Sequence, residues 1–196
     1  MAKLYFRYGA MGSAKTLNLL AVAHNYRQQG KKVLLMKPKL DTRFGLKEIK
    51  SRAGLEMEAD LLVEKETDLT KVSVNGSSCI VVDESQFLSK KHIEQLRELS
   101  FTKNIPVICY GLRTDFKSYL FEGSKRLMEL ADSIEEVKAT CQYCNRKSTM
   151  NLKFVNGKAV FDGPSVELGA EEKYFPSCYG CYYREAKAAK KETASV

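Results

Sequence analysis

The chain has 196 residues, of which 44% are hydrophobic and 29% charged, and its formal net charge is +8. This composition is typical of a packed globular protein and excludes disorder as the main state. The longest apolar runs fall far short of the about 20 residues that a membrane-spanning helix needs, and residues 1–9 lack the pattern of a secretory signal. We therefore expect a cytoplasmic protein with no membrane partner.

The basic surplus belongs to the first quarter of the chain, where residues 1–50 carry 11 basic and 2 acidic side chains. Such a surplus can attract nucleic acid, an acidic membrane or a small polyphosphate. Because charge alone does not choose among these partners, the choice depends on the motifs and their order along the chain.

Apolar strands and amphipathic helices alternate over the first 140 residues. Strands are expected at residues 3–8, 32–36, 78–82, 105–110 and 134–139, with helices ending at Gln29 and spanning 89–99 and 124–132. Because the strands are continuously hydrophobic, they indicate a parallel sheet that is covered by helices on both faces. Residues 37–54 are expected to form a long basic loop. We predict an α/β domain over residues 1–140.

A glycine-rich segment joins the first predicted strand to the first predicted helix. Its order and spacing are those of a Walker A loop, in which backbone N–H groups converge on phosphates, Lys15 reaches the β and γ phosphates of ATP and the Thr16 hydroxyl holds Mg²⁺. Ala14 replaces the usual second glycine, which is tolerated if its backbone is helical and crowds the phosphate otherwise. The alternative is a chance glycine-rich turn. The candidate ATP-binding residues are Gly9, Ala10, Met11, Gly12, Ser13, Ala14, Lys15 and Thr16.

Two adjacent carboxylates follow the apolar strand at residues 78–82. Asp83 stands where a Walker B carboxylate orients Mg²⁺ at the carboxyl edge of a parallel sheet. Glu84 is a second carboxylate beside the metal and is available to accept a proton from an attacking hydroxyl. The alternative for Glu84 is a solvated side chain after a strand. Together with the glycine-rich loop, this pair predicts a P-loop NTPase-like fold.

Four of the six cysteines form two CxxC pairs, Cys141 with Cys144 and Cys178 with Cys181. Two such pairs supply the four thiolates of a tetrahedral zinc site, and with all four positions filled the Zn²⁺ is expected to be structural. A redox CxxC motif is the alternative, although a single redox motif would not occur twice. The other two cysteines lie in apolar strands and are expected in the core.

The segment between the cysteine pairs contains Asn156-Gly157, a strong signal for a two-residue β-hairpin turn, with strands expected at 148–155 and 158–161. We therefore predict a small zinc-ribbon-like β domain over residues 141–184. The alanine- and lysine-rich residues 185–196 are expected to be a flexible tail.

With these motifs in place, the chain resembles the zinc-containing thymidine kinases, the family shared by bacteria and the animal cytosol. The resemblance covers nearly all of residues 3–184. Its carriers are the loop at 9–16, Lys37-Pro38 with Asp41-Thr42-Arg43-Phe44, Ser51-Arg52-x-Gly54, Asp83-Glu84-Ser85-Gln86-Phe87, Gly111-Leu112-x-Thr114-Asp115-Phe116 with Phe121, the two CxxC pairs, and Val166-x-Leu168-Gly169 leading to Lys173-Tyr174.

The resemblance implies transfer of the γ-phosphate of ATP to the 5′-hydroxyl of thymidine or deoxyuridine in deoxynucleotide salvage for DNA synthesis. Glu84 would accept the hydroxyl proton, and Arg43 would lie near the transferring phosphate. Residues 163–174 would close over the nucleoside, with zinc holding both ends of this loop. The resemblance also implies a homotetramer. The expected nucleoside-binding residues are Gln86, Phe87, Phe116, Phe121 and Tyr174.

One departure from the family pattern, besides Ala14, is Ala170, which follows Gly169 where the family often has a second glycine. Two other functions stay open. A zinc-ribbon ATPase that binds nucleic acid is disfavoured because the carboxyl-terminal unit is nearly neutral and has no basic stripe, so no nucleic-acid partner is expected. A non-catalytic nucleotide sensor is suggested only by Ala14. His24 and His92 are expected to be structural or exposed.

Overall fold

The computed structural model describes residues 1–165 and 174–193, with only the backbone of residues 191–193. In chain order the elements are β1 (Leu4–Tyr8), α1 (Lys15–Gln28), β2 (Lys32–Pro38), β3 (Glu48–Lys50), β4 (Glu56–Glu58), β5 (Leu61–Val63), a 3₁₀ turn (Leu69–Lys71), β6 (Ser77–Val82), a 3₁₀ turn (Ser85–Phe87), α2 (Lys90–Thr102), β7 (Val107–Gly111), α3 (Glu122–Leu130), β8 (Ser133–Glu136), β9 (Met150–Val155), β10 (Lys158–Val160), β11 (Tyr174–Ser177) and α4 (Tyr179–Thr193).

The main sheet has six strands in the order β5-β2-β6-β7-β1-β8, and all its neighbouring strands are parallel. Alternate residues of the central strands face opposite sides, as the pleat requires. One side packs against α1 through residues such as Leu20 and Val81. The other packs against α2 and α3 through residues such as Ile80, Leu96 and Leu127. Both faces are therefore covered, which confirms the predicted α/β class with a parallel sheet.

This topology brings the turns after β1, β6 and β7 to the same edge of the sheet. In a parallel sheet the carboxyl ends of the strands lie together, and ligands bind in the crevice that they form. Gly9 follows β1 and Asp83 follows β6. The Gly9 amide donates to the carbonyl of Gly111 at the end of β7, at 3.3 Å, which joins two of these turns directly.

A second unit, the cysteine lobe, comprises residues 141–165 and 174–193. Its antiparallel sheet has the order β10-β9-β11. The turn at Asn156 and Gly157 has φ of 50° and 78°, the two positive values that the predicted hairpin turn needs. Helix α4 covers this sheet, and the rings of Phe161 and Tyr182 pack edge to face at 5.3 Å.

Two local expectations differ from the structure. The long loop expected over residues 37–54 contains β3, which pairs with β4 in a polar hairpin, and β5 adds a strand beside β2. The tail expected to be flexible continues α4 as far as Thr193, because alanine and lysine favour helix and the helix begins on a packed surface. Residues 194–196 lie outside the described residues.

The two histidines have the roles expected of them. His24 is exposed on α1. His92 is buried and completes a capping box with Ser89 at the start of α2, and its Nε2 lies 3.1 Å from the carbonyl of Thr67. His92 therefore stabilises a helix start. Within the described residues, no helix is long and apolar enough to cross a membrane.

Candidate active site and metal centre

The loop between β1 and α1 wraps around the side chain of Lys15. The Lys15 ammonium donates to the carbonyls of Ala10 and Gly9, at 2.8 and 3.2 Å, and to the Ser13 hydroxyl at 3.3 Å. Burial lowers the pKa of Lys15 to about 8, although the charges of the neighbouring carboxylates oppose this shift. The loop therefore holds a buried cation at the edge of the sheet, where an anionic ligand would stabilise its charged form.

Ala14 does not have the right-handed helical backbone that would make an alanine easy to accommodate. Its φ and ψ are 63° and 24°, in the left-handed region, which costs an L-residue about 1–2 kcal/mol. Gly12 also has a positive φ, of 72°. The condition under which we expected alanine to be tolerated is therefore not met, and the methyl group stands where glycine is the favoured residue.

Asp83 lies next to the start of α1. The Thr16 hydroxyl donates to Asp83 Oδ2 at 3.3 Å. Burial, followed by the nearby charge of Glu84, raises the pKa of Asp83 to about 7, although Arg43 opposes the shift. A carboxylate and a hydroxyl are hard oxygen ligands, and this is the donor set that Mg²⁺ prefers beside phosphates. The residues present therefore fit a magnesium ion.

Glu84 is held at both of its carboxylate oxygens. Arg43 Nη2 donates to Oε1, and Gln86 Nε2 donates to Oε2, each at 2.5 Å. The Glu84 backbone is left-handed, with φ 47° and ψ 38°, and the side chain is buried. The alternative of a solvated carboxylate is therefore wrong. Gln86 Oε1 in turn accepts from the Leu112 amide at 3.0 Å, so both ends of the Gln86 amide are engaged.

Behind Arg43 lies a buried ion pair, Lys37 with Asp41, that no sequence motif predicted. Arg43 Nε donates to Asp41 Oδ1 at 2.6 Å, and Asp41 Oδ2 lies 3.2 Å from the ammonium of Lys37. Burial would raise the pKa of Asp41, but the two cations outweigh it and hold the pKa below its ordinary value. Lys37 lies near the end of the apolar strand β2. Because a buried lysine almost always has an acidic partner, its position in the sequence could have indicated this ion pair.

A cleft of about 360 Å³ brings most of these groups together. Its wall includes most of the loop at residues 9–16, which we call the phosphate-type loop, together with both carboxylates after β6 and Arg43. The unpredicted β3–β4 hairpin closes one side of the cleft through Ser51 and Arg52. The predicted catalytic residues and most of the predicted ATP-binding residues therefore share one concave surface, as a small-molecule site requires.

The expected nucleoside-binding rings form two pairs outside this wall. Phe116 meets Tyr174 at a centroid distance of 6.1 Å, and Phe87 meets Phe121 at 5.9 Å, both edge to face. The Lys153 ammonium lies 4.9 Å from the Phe116 centroid. Most of the loop expected to close over the nucleoside, residues 166–173 with Ala170, lies outside the described residues. The nucleoside contacts, including one from Gln86, stay predictions.

The four predicted metal ligands converge in the cysteine lobe. Their sulfur atoms all lie within 4.8 Å of one another. The Cys144 sulfur is 3.6 Å from that of Cys178 and 3.8 Å from that of Cys181. A tetrahedral zinc ion with Zn–S bonds of about 2.3 Å needs sulfurs about 3.8 Å apart. The residues therefore fit Zn²⁺, and the convergence of both pairs on one point disfavours the redox alternative.

Backbone N–H groups favour thiolate in this cluster. Although burial acts against it, N–H donation to Cys141, including that from Tyr143 at 3.4 Å, lowers the pKa of Cys141 to about 6. Donation by the Cys181 amide lowers the pKa of Cys178. Burial raises the pKa of Cys181 to about 11, despite a 3.0 Å contact with Arg184. A bound metal would deprotonate this thiol as well.

Comparison with known proteins identifies the family. The family model described as thymidine kinase matches residues 2–182. The chain belongs to the thymidine kinase family. Two relatives named thymidine kinase are 44% identical to it: that of Streptococcus gordonii over 187 residues, 94% of this chain and 97% of the relative, and that of Lactococcus lactis subsp. lactis over 186 residues, 94% and 98%. The resemblance seen in the sequence is confirmed, and the chain is an enzyme of a kinase family.

Membership in the thymidine kinase family disfavours the alternative of a zinc-ribbon ATPase that binds nucleic acid. The crystal structure of Pif1 helicase from Candida albicans matches 69% of this chain and 36% of its own, with a TM-score of 0.40 and 14% identity. That likeness is too weak to support any functional argument. The matched residues 2–182 of the thymidine kinase family include the cleft and all four cysteines.

Proposed function

We propose that the chain transfers the γ-phosphate of ATP to the 5′-hydroxyl of thymidine or deoxyuridine, giving the nucleoside monophosphate and ADP, in deoxynucleotide salvage for DNA synthesis. The observation that carries the proposal is a buried carboxylate, Glu84, held at both oxygens beside a lysine-containing phosphate-type loop. Phosphoryl transfer depends mainly on positioning and on charge stabilisation, and the cleft offers both.

At the phosphate end of the cleft, we assign ATP to the loop at residues 9–16. Its backbone N–H groups and the Lys15 ammonium would bind phosphate oxygens, and the polyphosphate would keep Lys15 protonated although burial lowers its pKa to about 8. Thr16 and Asp83 would hold Mg²⁺. When bound, this ion neutralises charge on the transferring phosphate.

Glu84 would accept the proton of the 5′-hydroxyl as that oxygen attacks the γ phosphorus and the bond to the β–γ bridging oxygen breaks. Arg43 Nη2 donates to Oε1 of Glu84. A phosphate that draws the guanidinium toward itself would free this oxygen for the hydroxyl and place a permanent positive charge at the reacting phosphate. Asp41 keeps Arg43 close by through its second contact.

At the nucleoside end, we propose that Phe116, Phe121 and Tyr174 form the walls of the pocket, with Gln86 and Phe87 nearby. The support is the family resemblance and the edge-to-face pairing of these rings, Phe87 with Phe121 and Phe116 with Tyr174 of the cysteine lobe. Structural Zn²⁺ bound by the four cysteines would hold the lobe on which the nucleoside-covering loop depends.

We also propose that the enzyme is a cytoplasmic homotetramer. The tetramer rests on the family resemblance alone, and light scattering during gel filtration would test it. A reducing compartment agrees with six cysteines of which none forms a disulfide, because thiolate metal sites persist where disulfides do not form.

A coupled assay for ADP, with thymidine, deoxyuridine and deoxycytidine as acceptors, tests the proposed reaction. We expect ADP formation to depend strictly on the nucleoside. Glu84→Gln should lower kcat by at least about 100-fold, the lower range for a positioned general base, while ATP still binds. Glu98→Gln, at an exposed position on α2, is the matched control and should keep full activity.

Two results would contradict the proposal. ATP hydrolysis without a nucleoside, stimulated by DNA and steeply dependent on salt, would favour the nucleic-acid-binding ATPase. ATP binding without turnover of any nucleoside would favour a sensor.

A further inference from the structure

Asn151, in the cysteine lobe, contacts the phosphate-type loop of the other lobe. Its Oδ1 accepts a hydrogen bond from the Met11 amide at 2.9 Å, and its Nδ2 donates to the carbonyl of Thr114 at 3.2 Å. The side chain is 4% exposed and comes from the central strand of the small sheet, β9. One side chain therefore joins the cysteine lobe, the loop after β1 and the segment after β7.

The chemistry of this position requires a carboxamide. The Met11 N–H needs an acceptor and the Thr114 carbonyl needs a donor, and a neutral amide supplies both from adjacent atoms. A carboxylate of the same size would face the Thr114 carbonyl without a proton. An apolar side chain would leave the buried Thr114 carbonyl and the partly buried Met11 N–H without this partner, which is costly.

The Met11 N–H that Asn151 holds belongs to the loop assigned to the phosphates. Because this N–H is engaged from outside, it is fixed away from the phosphate cradle, and the conformation of the following residues is fixed with it. The start of the loop is also confined, because Gly9 packs closely against the segment that leads to the cysteine lobe. A Cβ atom on Gly9 would lie only 2.5 Å from the carbonyl oxygen of Val137 in that segment. The loop is thus braced against the cysteine-lobe side of the molecule.

We infer that Asn151 is a positioning residue that anchors the phosphate loop to the cysteine lobe, so that the metal-binding part of the chain sets the affinity for ATP. The inference rests on the proposed function, since it takes the loop to bind ATP. Asn151 lies outside all the motifs identified in the sequence. By holding the loop in the conformation that binds phosphate, it lowers the entropic cost of ordering the loop when ATP binds.

Tyr182 provides a matched control because it makes a comparable bond between the lobes at a different place. Its hydroxyl donates to the carbonyl of Phe116, a residue outside the loop at 9–16, at 2.8 Å. Tyr182→Phe therefore removes a buried hydrogen bond between the lobes without releasing Met11, whereas Asn151→Leu removes two such bonds, one of them from Met11. A general loosening of the two lobes would weaken ATP binding in both variants.

Two measurements on the zinc-loaded full chain test the inference. Amide hydrogen exchange without nucleotide should show Met11 protected in the wild type and exchanging at least about fivefold faster in Asn151→Leu, the effect of losing one hydrogen bond. Calorimetry with MgATP should show Kd raised about five- to tenfold in Asn151→Leu, with a matching rise in KM and little change in kcat. Tyr182→Phe should leave both quantities within about twofold of the wild type.

An unprotected Met11 amide in the wild type would overturn the inference without any variant. Wild-type affinity in Asn151→Leu, or an equal loss in Tyr182→Phe, would also overturn it. If the wild type protects Met11 in an Asn151-dependent way but does not bind MgATP, the anchoring stands and the proposed function fails. If Asn151→Leu does not fold, Asn151→Ala, with zinc content confirmed, takes its place.

Discussion

The two lobes hold their functional residues by different physical means. The sheet lobe, which comprises residues 1–140, buries large apolar clusters on both faces of its six strands. Its site residues follow strands that this core holds in place. In the cysteine lobe, one small cluster formed by Met150, Leu152 and Tyr182 lies beside a second cluster made of cysteines. A lobe with so small an apolar core needs an added cross-link, and four convergent thiols supply one through a metal.

The largest expected effect is the loss of that cross-link. Cys178→Ser should abolish stoichiometric zinc binding and unfold the cysteine lobe, because the free energy of structural zinc binding is also folding free energy, about 10–16 kcal/mol in zinc-finger peptides. Zinc content by mass spectrometry and near-ultraviolet circular dichroism would measure the loss.

Two controls separate the lobes. Cys79→Ala alters a buried cysteine of the sheet core and should keep one zinc per chain. Leu96→Ala should lower the stability of the sheet lobe by about 2–5 kcal/mol with zinc retained. Normal zinc content in Cys178→Ser would contradict the view that a metal cross-link stabilises the cysteine lobe while an apolar core stabilises the sheet lobe.

The second effect concerns the ionisation of Asp83, a buried carboxyl group in the sheet lobe. The pKa of Asp83 is raised from 3.8 to about 7, so the folded chain binds more protons than the unfolded chain between these values. The contribution of Asp83 to stability is present at low pH and is lost as the pH rises through 7. Asp83→Asn should therefore stabilise the magnesium-free protein at pH 8 by roughly 1–3 kcal/mol.

Thermal unfolding at pH 5 and pH 8 would check this expectation. The gain from Asp83→Asn should shrink at pH 5, where Asp83 is protonated in the folded chain. Equal gains at both pH values would show that ionisation of Asp83 is not the cause.

A third, smaller effect tests how the sheet lobe orients its base. Gln86→Leu removes the donor at Oε2 of Glu84 and should lower kcat about tenfold, less than the loss of the base itself, with Kd for ATP unchanged. The matched control is Gln95→Leu. The buried Gln95 also accepts from a backbone amide, that of Leu69, and donates to a carboxylate, that of Asp68, far from the cleft.

Gln95→Leu should lose stability but keep kcat. If Gln86→Leu instead raises KM for thymidine while kcat is unchanged, Gln86 acts by contacting the substrate, as the family resemblance implies. Its hydrogen bond to Glu84 would then make no contribution to kcat.

The smallest effect concerns Ala14. Ala14→Gly should stabilise the protein by about 1 kcal/mol, because it removes the cost of a left-handed alanine, and should leave ATP affinity unchanged or improve it. Ser118→Gly, at an exposed residue with φ of 69° outside the cleft wall, should relieve similar strain without any change in affinity. A large loss of ATP binding in Ala14→Gly would contradict this interpretation of the loop, in which the alanine methyl group contributes nothing to phosphate binding.

Several elements were predictable because their signals are local. The Asn156-Gly157 turn needs only two residues, the loop at 9–16 needs one strand and one helix, and each CxxC pair is a compact unit. The β3–β4 hairpin was missed because its strands are three residues long and mostly exposed, so they lack a hydrophobic period. Helix α4 was not predicted because composition alone does not reveal the surface on which it packs.

The sequence by itself determined the parallel α/β class, the four thiol ligands, the phosphate-type loop and the carboxylate pair, since each follows from residue types at short spacing. Only the tertiary structure decided how Glu84 is held, why Lys37 is buried and what Asn151 contacts. Asn151 and Met11 are 140 residues apart, and Glu84 and Arg43 are 41 apart. Such contacts carry no local pattern, because they form only when the sheet order and the docking of the cysteine lobe bring distant segments together.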